Sequence, residues 1–291
     1  MEVAIAQVIN GLALGGTYAL LVTGMNLMLL VARVYHFAYP HIVVMSMYIS
    51  WMVLQATGDN LALGILAAIG SGVVISIATE PLFRGTTKRG ATIMSLFIAI
   101  GLAMVITDTQ SHAIHGGAPI SFPTALSGKE ALLKYGIATI NAGQLAAILG
   151  CVGAVAGLMY LLYRTKQGRA FRAIAQNIFV ARLTGIPILR TSIFSYVIAG
   201  LLGGITAVSL IMAMGMAMPG LGDMLAAKVM TAQIFAGLGN LGGGIICAFI
   251  LGLVESFTMG YLPGMWTDAV GFGVMMIGII IRPKGVFGSR V

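Results

Sequence analysis

The feature that most constrains this chain is a series of long intervals without Asp, Glu, Lys or Arg. They are residues 3–32, 34–58, 60–79, 90–107, 135–163, 191–222, 229–254 and 269–281. A helix of roughly 20 apolar residues spans the hydrocarbon core of a bilayer, and most of these intervals are long enough to form one. Only 8% of the residues are charged and 59% are hydrophobic, whereas a soluble domain carries about 25% charged residues. The sequence therefore predicts a protein embedded in a lipid bilayer.

The number of membrane segments depends on the interval 229–254, which is too rich in glycine for one continuous helix. The stretch AGLGNLGGG over 236–244 predicts a break between a short piece near 225–236 and a second helix near 241–258. We therefore expect an all-α fold, a polytopic transmembrane helix bundle formed by a single domain over residues 1–291. It should contain eight or nine membrane segments with at least one broken or half helix. Whether the piece near 225–236 crosses the bilayer fully is left open.

The basic residues predict an orientation, because Lys and Arg are retained on the cytoplasmic side of a membrane. One alternation of the spans places 13 of the 16 basic residues inside. We therefore expect the N-terminus outside, the C-terminus in the cytoplasm, a cytoplasmic segment over about 165–187 and a long outer loop over about 109–140. This topology accounts for the net charge of +8, so no nucleic-acid partner is predicted. The residues placed inside are Arg33, Arg84, Lys88, Arg89, Arg164, Lys166, Arg169, Arg172, Arg182, Arg190, Arg282, Lys284 and Arg290.

The cytoplasmic segment has the sequence TKQGRAFRAIAQNIFVARLTGIP and interrupts an otherwise apolar chain. Its pattern predicts one amphipathic helix that starts near Gly168 and ends at Gly185. Phe171 and Ile174 share the apolar face, while Arg169 lies on the polar side. Spacing alone supports two interpretations equally: a surface helix drawn to anionic lipid, or a docking helix for a cytoplasmic partner.

This segment resembles the cytoplasmic coupling segment of ABC-importer permeases of the branched-chain amino-acid type. The family pattern is approximately G-x-x-x-R-A-x-x-x-N-x-x-x-A-x-x-x-G-I, and the stretches VINGLALGGTYALLVTGMNLMLLV, GLGNLGGGIICAFILGLVES and IIIRPKGVFG are also similar to the family. The resemblance covers nearly the whole chain. The positions that match the coupling pattern are Gly168, Arg172, Ala173, Asn177, Ala181, Gly185 and Ile186.

The resemblance implies the permease subunit of an ATP-driven importer in the cell inner (cytoplasmic) membrane. Its partners would be two ABC ATPase subunits, which bind ATP and Mg, a second and different permease subunit, an extracytoplasmic substrate-binding protein and the lipid bilayer. The chain itself would bind no cofactor and would not be an enzyme, in keeping with the lack of a P-loop pattern in the sequence. The transported solute would be an amino acid, an amide such as urea, or a small organic acid. The implied ATPase-coupling residues are Gly168, Arg169, Phe171, Arg172, Ala173, Asn177, Ala181 and Gly185.

The stretch YHFAYPH over 35–41 departs from the N-F-A-H-G that members of this family usually carry after the first span. Pro40 is expected to start or break a helix there, and the predicted topology places the stretch near the inner face, as a gate or a helix junction. Helix–helix hydrogen bonding is the default explanation for the uncharged polar residues within spans, and pathway lining comes second. The residues that we assign to the translocation pathway are Tyr18, Asn26, His36, Phe37, Tyr39 and Gln233.

Two further patterns bear on the site. Asp108, His112 and His115 have the spacing of metal ligands on a helix, but they lie at a polar helix end, so we predict no metal site. The stretches GLALGGTYAL (11–20) and GLLGGITAV (200–208) share a small-residue pattern in helices predicted to run in opposite directions. Inverted repeats of this kind are frequent in transporters.

Two other classes of function were weighed against the permease. A channel or secondary transporter would work without an ATPase, and residues 165–187 would then form only a loop at the membrane surface. An intramembrane enzyme would need catalytic groups at membrane depth, and no Ser-His, paired-Asp or H-E-x-x-H arrangement occurs in a predicted span. The sequence therefore favours transport over catalysis.

Overall fold

The computed structural model describes residues 2–89, 92–123, 126, 131–135, 138–282 and 285–287. Within these ranges the chain forms eleven α-helices and two small antiparallel ribbons, β1 with β4 and β2 with β3. The helices are α1 Glu2–Ala32, α2 Tyr39–Thr57, α3 Leu61–Arg89, α4 Thr92–Asp108, α5 Ala142–Arg164, α6 Lys166–Gln176, α7 Ile178–Leu183, α8 Ile188–Met214, α9 Leu221–Ala236, α10 Leu241–Tyr261 and α11 Thr267–Ile281. The strands are β1 Ile120–Ser121, β2 Ala131–Tyr135, β3 Ala138–Asn141 and β4 Met216–Ala217.

Seven helices in the described ranges are long and apolar enough to cross a membrane: α1, α3, α4 with the π-helical turn that continues it, α5, α8, α10, and α11 with the 3-10 turn that precedes it. Two further helices, α2 of 19 residues and α9 of 16 residues, pack among them. At 1.5 Å per residue α9 is about 24 Å long, less than the roughly 30 Å of a hydrocarbon core. The all-α polytopic bundle is confirmed, and the piece whose crossing was open is a short helix.

Helices α1–α3 and helices α8–α10 contact each other in a symmetric pattern. Helix α1 packs along α10, α3 packs along α8, and the short helices α2 and α9 touch each other. Arg33, just after α1, donates from Nη2 to the carbonyl of Ala175 at 3.3 Å, in the segment that leads into α8. Because α1 ends where α8 begins, the two helices run in opposite directions, as the glycine pattern predicted. Helices α1–α3 and α8–α10 therefore form an approximate inverted repeat.

Close backbone contacts between glycines hold both halves of this repeat together. A Cβ atom added to Gly252 of α10 would overlap the backbone of Gly11 and Gly15 in α1. A Cβ atom at Gly200 of α8 would overlap the backbone of Gly72 in α3. Helices in membranes use such small residues to bring their backbones together, since van der Waals packing is a main driving force for their association.

Residues 33–38 connect α1 to α2 without helical structure and extend into the interior of the bundle. Tyr39, the first residue of α2, donates from Oη to the carbonyl of Ala199 at 2.8 Å. Ala199 lies 11 residues beyond Ile188, where α8 begins (199 − 188), so this contact is about 16 Å along the helix. The stretch therefore begins beside residues 165–187, where Arg33 bonds to Ala175, and extends inward as a junction between α1 and α2. Pro40 lies in the first turn of α2, where a helix tolerates its missing N–H.

Candidate functional site

The segment 165–187, predicted as one helix, forms the two helices α6 and α7. Asn177 stands between them in an extended conformation with φ −156° and ψ 109°. Its Oδ1 accepts hydrogen bonds from the N–H groups of Phe179 at 2.9 Å and Val180 at 3.2 Å. Side chains that cap a helix in this way satisfy N–H groups without a partner in the first turn. The single-helix prediction is wrong because Asn177 starts a new helix, which ends near Gly185 at φ 80°.

The apolar face of this segment points into the permease. Phe171 and Ala181 are each only 2% exposed, and the Phe171 ring lies 6.0 Å from that of Phe194 in α8. The Phe171 ring therefore fills part of the core of this chain. Phe171 and Ala181 anchor the segment to the bundle, and their role in ATPase coupling stays a prediction.

Three other predicted coupling residues also fix the segment to the bundle. Gly168 is buried, and a Cβ atom there would overlap the carbonyl of Leu162 at the end of α5. Arg172 donates to the same Leu162 carbonyl and lies over the Tyr163 ring, with Cζ 5.1 Å from its centroid. Ala173 is half-buried beside it. These contacts join α6 rigidly to the end of α5.

The exposed side of the segment consists of other residues. The side chains of Phe179, Val180 and Leu183 in α7 are 66%, 51% and 72% exposed. Arg169 and Arg182 are exposed as well. We call these five residues the coupling surface. Sequence periodicity missed its apolar members because it treated α6 and α7 as one helix with one buried face.

Most of the residues predicted to line a pathway are buried within the chain. Asn26 donates from Nδ2 to the carbonyl of Asn240 at 3.5 Å, and Gln233 donates from Nε2 to the carbonyl of Val22 at 3.3 Å. The Gln233 bond joins α1 to α9, and the Asn26 bond joins α1 to the interruption between α9 and α10, so both serve helix–helix packing. Lining of a pathway stays a prediction for all six residues. The buried residues are Tyr18, Asn26, His36, Tyr39 and Gln233, whereas Phe37 is half-buried.

His36 lies deep in the junction between α1 and α2. Its Nε2 atom is 3.2 Å from Thr79 Oγ1 in α3, and its ring packs at 4.7 Å from Phe83 and 5.8 Å from Tyr196. The junction is therefore held by polar and aromatic contacts to both α3 and α8.

A cluster of charged residues joins α1, α9, α10 and α11. Lys228 Nζ lies 3.0 Å from Glu255 Oε1 and 3.0 Å from Asp268 Oδ1, and Tyr18 Oη donates to Glu255 Oε2 at 2.7 Å. Lys228 is 6% exposed and Glu255 1%. The two residues therefore neutralise each other inside the bundle. Ionisable residues within a membrane require partners of this kind.

A second ion pair connects the two short helices. His41 and Asp223 are the third residues of α2 and α9, and His41 Nε2 lies 3.0 Å from Asp223 Oδ1. The His41 side chain is fully buried, whereas that of Asp223 is 64% exposed. Sequence analysis selected neither residue as a site, because they are 182 positions apart and no local pattern links them.

The pattern that resembled a metal site forms a surface contact where it is described. Asp108 Oδ1 lies 3.0 Å from His112 Nδ1, one helical turn away, and both side chains are largely exposed. The side chain of His115 lies outside the described residues, and the absence of a metal stays a prediction. Several predicted features also fall on undescribed positions: Lys129 and Glu130 of the outer loop, and Pro283, Lys284 and Arg290 of the closing basic stretch.

The inverted repeat, the interrupted helices, the buried ion pairs and the basic two-helix segment at one end define a polytopic membrane transport protein. Over residues 7–280 the chain matches the family model described as the branched-chain amino acid transport system permease component. The chain belongs to this family and is the membrane-spanning permease subunit of an ABC importer, as the resemblance of the coupling segment had indicated.

Curated relatives match along most of the chain. The high-affinity branched-chain amino acid transport permease BraD of Pseudomonas aeruginosa is 26% identical, over 97% of this chain and 95% of its own length. The corresponding permease LivH of Escherichia coli K12 is 25% identical, over 97% and 94%. The autoinducer 2 import permease LsrD of Photorhabdus laumondii is 25% identical, over 80% and 71%.

Proposed function

We propose that this permease works with two ABC ATPase subunits on its cytoplasmic side, a second and different permease subunit, and an external binding protein that delivers the solute. In this assembly ATP and Mg are bound by the ATPases, and this chain supplies the path through the inner membrane. The observation that carries the proposal is the coupling surface, which exposes apolar side chains on a segment anchored to the bundle by Phe171 and Arg172.

The orientation follows from the end of the bundle at which the coupling segment lies. Arg33 bonds to this segment, and Asn240, at the start of α10, donates from Nδ2 to the carbonyl of Phe287 near the C-terminus at 2.8 Å. Pockets at this end are lined by residues from these same stretches. Because basic residues are retained on the cytoplasmic side, we place this end in the cytoplasm, with the C-terminus inside and the N-terminus outside.

The anchoring contacts explain how a docked ATPase would move the permease. A partner that holds Phe179 and Leu183 displaces α7, and Asn177 connects α7 to α6. Helix α6 is packed onto α8 through Phe171 and onto α5 through Arg172. Motion of the ATPase would therefore reach two long helices. Apolar anchors surrounded by arginines suit an apolar cleft with an acidic rim.

The solute is proposed as a small polar molecule, with an amino acid as the first candidate. The relatives BraD and LivH are named for branched-chain amino acids, whereas LsrD is named for autoinducer 2. An amide or a small organic acid is the alternative to be tested, by uptake of labelled leucine, urea and isobutyrate into vesicles that contain the complete importer.

The proposal is tested by co-purification of the ATPase with Phe179→Asp and Leu183→Asp variants. We expect both variants to reach the membrane normally and to bind the ATPase at least about tenfold more weakly. A tenfold change in the dissociation constant corresponds to only about 1.4 kcal/mol. Gln176→Asp, an exposed polar position on the same segment, is the control and should retain the ATPase. Normal ATPase binding by both apolar variants, or solute flux through the purified chain without any ATPase, would contradict the proposal and favour a channel.

A further inference from the structure

The inverted repeat brings the starts of the two short helices together. Helix α2 begins after the rising residues 33–38, and α9 begins after β4, which pairs with β1 of the outer loop. His41 and Asp223 occupy equivalent positions in the two helices and are in contact. In transporters built from inverted repeats, solutes bind where the repeats meet, at the ends of interrupted helices. The pair therefore occupies the position at which such a site would be found.

Small-molecule sites typically have volumes of about 300–1,000 Å³, and a pocket of about 670 Å³ opens beside Asp223. Its other lining residues come from α4 and the turn that follows, and they include Asp108 and Ser111. The lining combines two carboxylates with hydroxyl groups and contains no Lys or Arg among the described residues. This composition suits a solute group that is positively charged and donates hydrogen bonds.

His41 fixes the orientation of the Asp223 carboxylate from the buried side, opposite the pocket. A carboxylate only accepts hydrogen bonds, so His41 Nε2 carries the hydrogen and donates to Asp223 Oδ1. The imidazole is fully buried and does not reach the pocket, so His41 is a positioning residue. Asp223 lies in the first turn of α9, where the helix dipole favours an ionised carboxylate. The exposed carboxylate is thus held in one direction by the hydrogen bond from His41.

Two buried polar atoms behind the pocket have no partner within the described part of the chain: Gln110 Oε1 and His41 Nδ1. Gln110 is fully buried between Thr109 and Ser111, which both line the pocket, and its Nε2 lies 3.5 Å from the carbonyl of His41. Buried polar atoms without a partner are rare in folded proteins. Gln110 itself does not line the pocket, so its unpaired amide oxygen lies behind the pocket wall, close to His41.

We propose that Asp223, oriented by His41, receives the protonated amine of the transported solute on the outer side of the permease. This inference rests on the proposed function and specifies its substrate class. A solute that carries only a carboxylate would meet Asp108 and Asp223 without a compensating cation in the described lining of the pocket. The site therefore selects amines and amino acids over simple organic acids.

The test places a thiol beside Asp223 in the complete importer, in right-side-out vesicles that contain ATP. Met224→Cys is treated with two membrane-impermeant methanethiosulfonates of similar size, one carrying trimethylammonium and the other sulfonate. We expect the cationic reagent to react at least roughly fivefold faster, because a fixed carboxylate in a cleft concentrates cations. Asp223→Asn should lower this ratio, Asp223→Asn combined with Asp108→Asn should bring it to about 1, and labelling should stop ATP-driven uptake.

Matched controls separate a positioned site from a general surface effect. Met276 of α11 is 60% exposed but lies within a membrane-spanning helix, so Met276→Cys should face lipid, react with neither reagent and report the background of labelling. The unsubstituted chain controls for Cys151 and Cys247, which are buried. His41→Leu should lower the charge preference, whereas His41→Gln, whose amide can still donate to Asp223, should retain it. Co-purified ATPase confirms assembly of each variant.

Three results would overturn the inference: Met224→Cys as unreactive as Met276→Cys, equal rates with both reagents when Asp223 is intact, or full uptake after labelling. Failure of the proposed function is recognised by a different measurement. The unsubstituted importer would then show no ATP-driven uptake, even if the two reagents still reported a negatively charged pocket.

Discussion

Lys228 of α9 and Glu255 of α10 form an ion pair inside the bundle, with Nζ 3.0 Å from Oε1. Asp268 extends the pair to α11, and the Tyr18 hydroxyl extends it to α1. Helix α9 has only 16 residues, and this cluster connects it to α1, α10 and α11. The ion pair therefore stabilises one of the two interrupted helices of the inverted repeat.

Replacement of Lys228 by Met should destabilise the permease strongly. The substitution leaves the Glu255 carboxylate buried without its cation, and loss of one partner of a buried pair typically costs about 3–5 kcal/mol. The midpoint of thermal unfolding in detergent measures the effect. Lys166→Met, at an exposed position, is the control. The double variant Lys228→Met with Glu255→Met should recover much of the loss, so a double variant less stable than the single one would refute the assignment.

Phe171→Asp should abolish folding of the permease rather than only its coupling. The Phe171 ring is buried against α8, and an uncompensated charge at this position is far more costly than loss of apolar contact. Size-exclusion chromatography of the extracted protein should show loss of the monodisperse peak. Phe179→Asp, at an exposed position eight residues further on, should keep that peak. A monodisperse Phe171→Asp variant would show that the ring is not part of the core.

Asn177→Ala should weaken the connection between α6 and α7. Loss of a side-chain cap costs about 0.5–2 kcal/mol, so the first turn of α7 should loosen while insertion into the membrane is unchanged. The measurement is the number of solute molecules imported per ATP hydrolysed, which should fall several-fold by this estimate. Asn177→Asp retains an acceptor for the same N–H groups and should preserve the ratio. Equal ratios for the Ala and Asp variants would exclude a role for the cap.

Gly252→Leu should disrupt the packing of α10 on α1, because even a Cβ atom at this position overlaps the opposite backbone. Overpacking in a close contact costs about 1–3 kcal/mol or more, which a shift in the unfolding temperature would report. Gly200→Leu should act similarly in the other half of the repeat. Gly101→Leu, where a Cβ atom meets nothing within 4 Å, is the tolerated control. A similar loss of stability in all three variants would argue against specific contacts.

Much of the architecture could be predicted because it depends on local properties. Apolar intervals predicted the spanning helices, and the glycines after α9 predicted its end, where Gly237 and Gly239 adopt positive φ angles of 96° and 84°. The coupling segment was identifiable because it is polar within an apolar chain. Its division at Asn177 was missed, since an Asn inside a helical pattern does not reveal whether its side chain caps a new helix.

By itself, the sequence determined that the chain is a helical membrane protein with one basic segment, because the transfer of charged and apolar groups between water and lipid depends on residue type alone. Only the tertiary structure decided that Lys228 meets Glu255, that His41 meets Asp223, and that Phe171 points inward. The physical reason is that a buried charge must find a partner, but composition and spacing do not specify which one among distant helices. The partner of each buried charge is decided by which helices pack together. That packing depends on positions such as Gly252, where the backbones of two helices come into close contact.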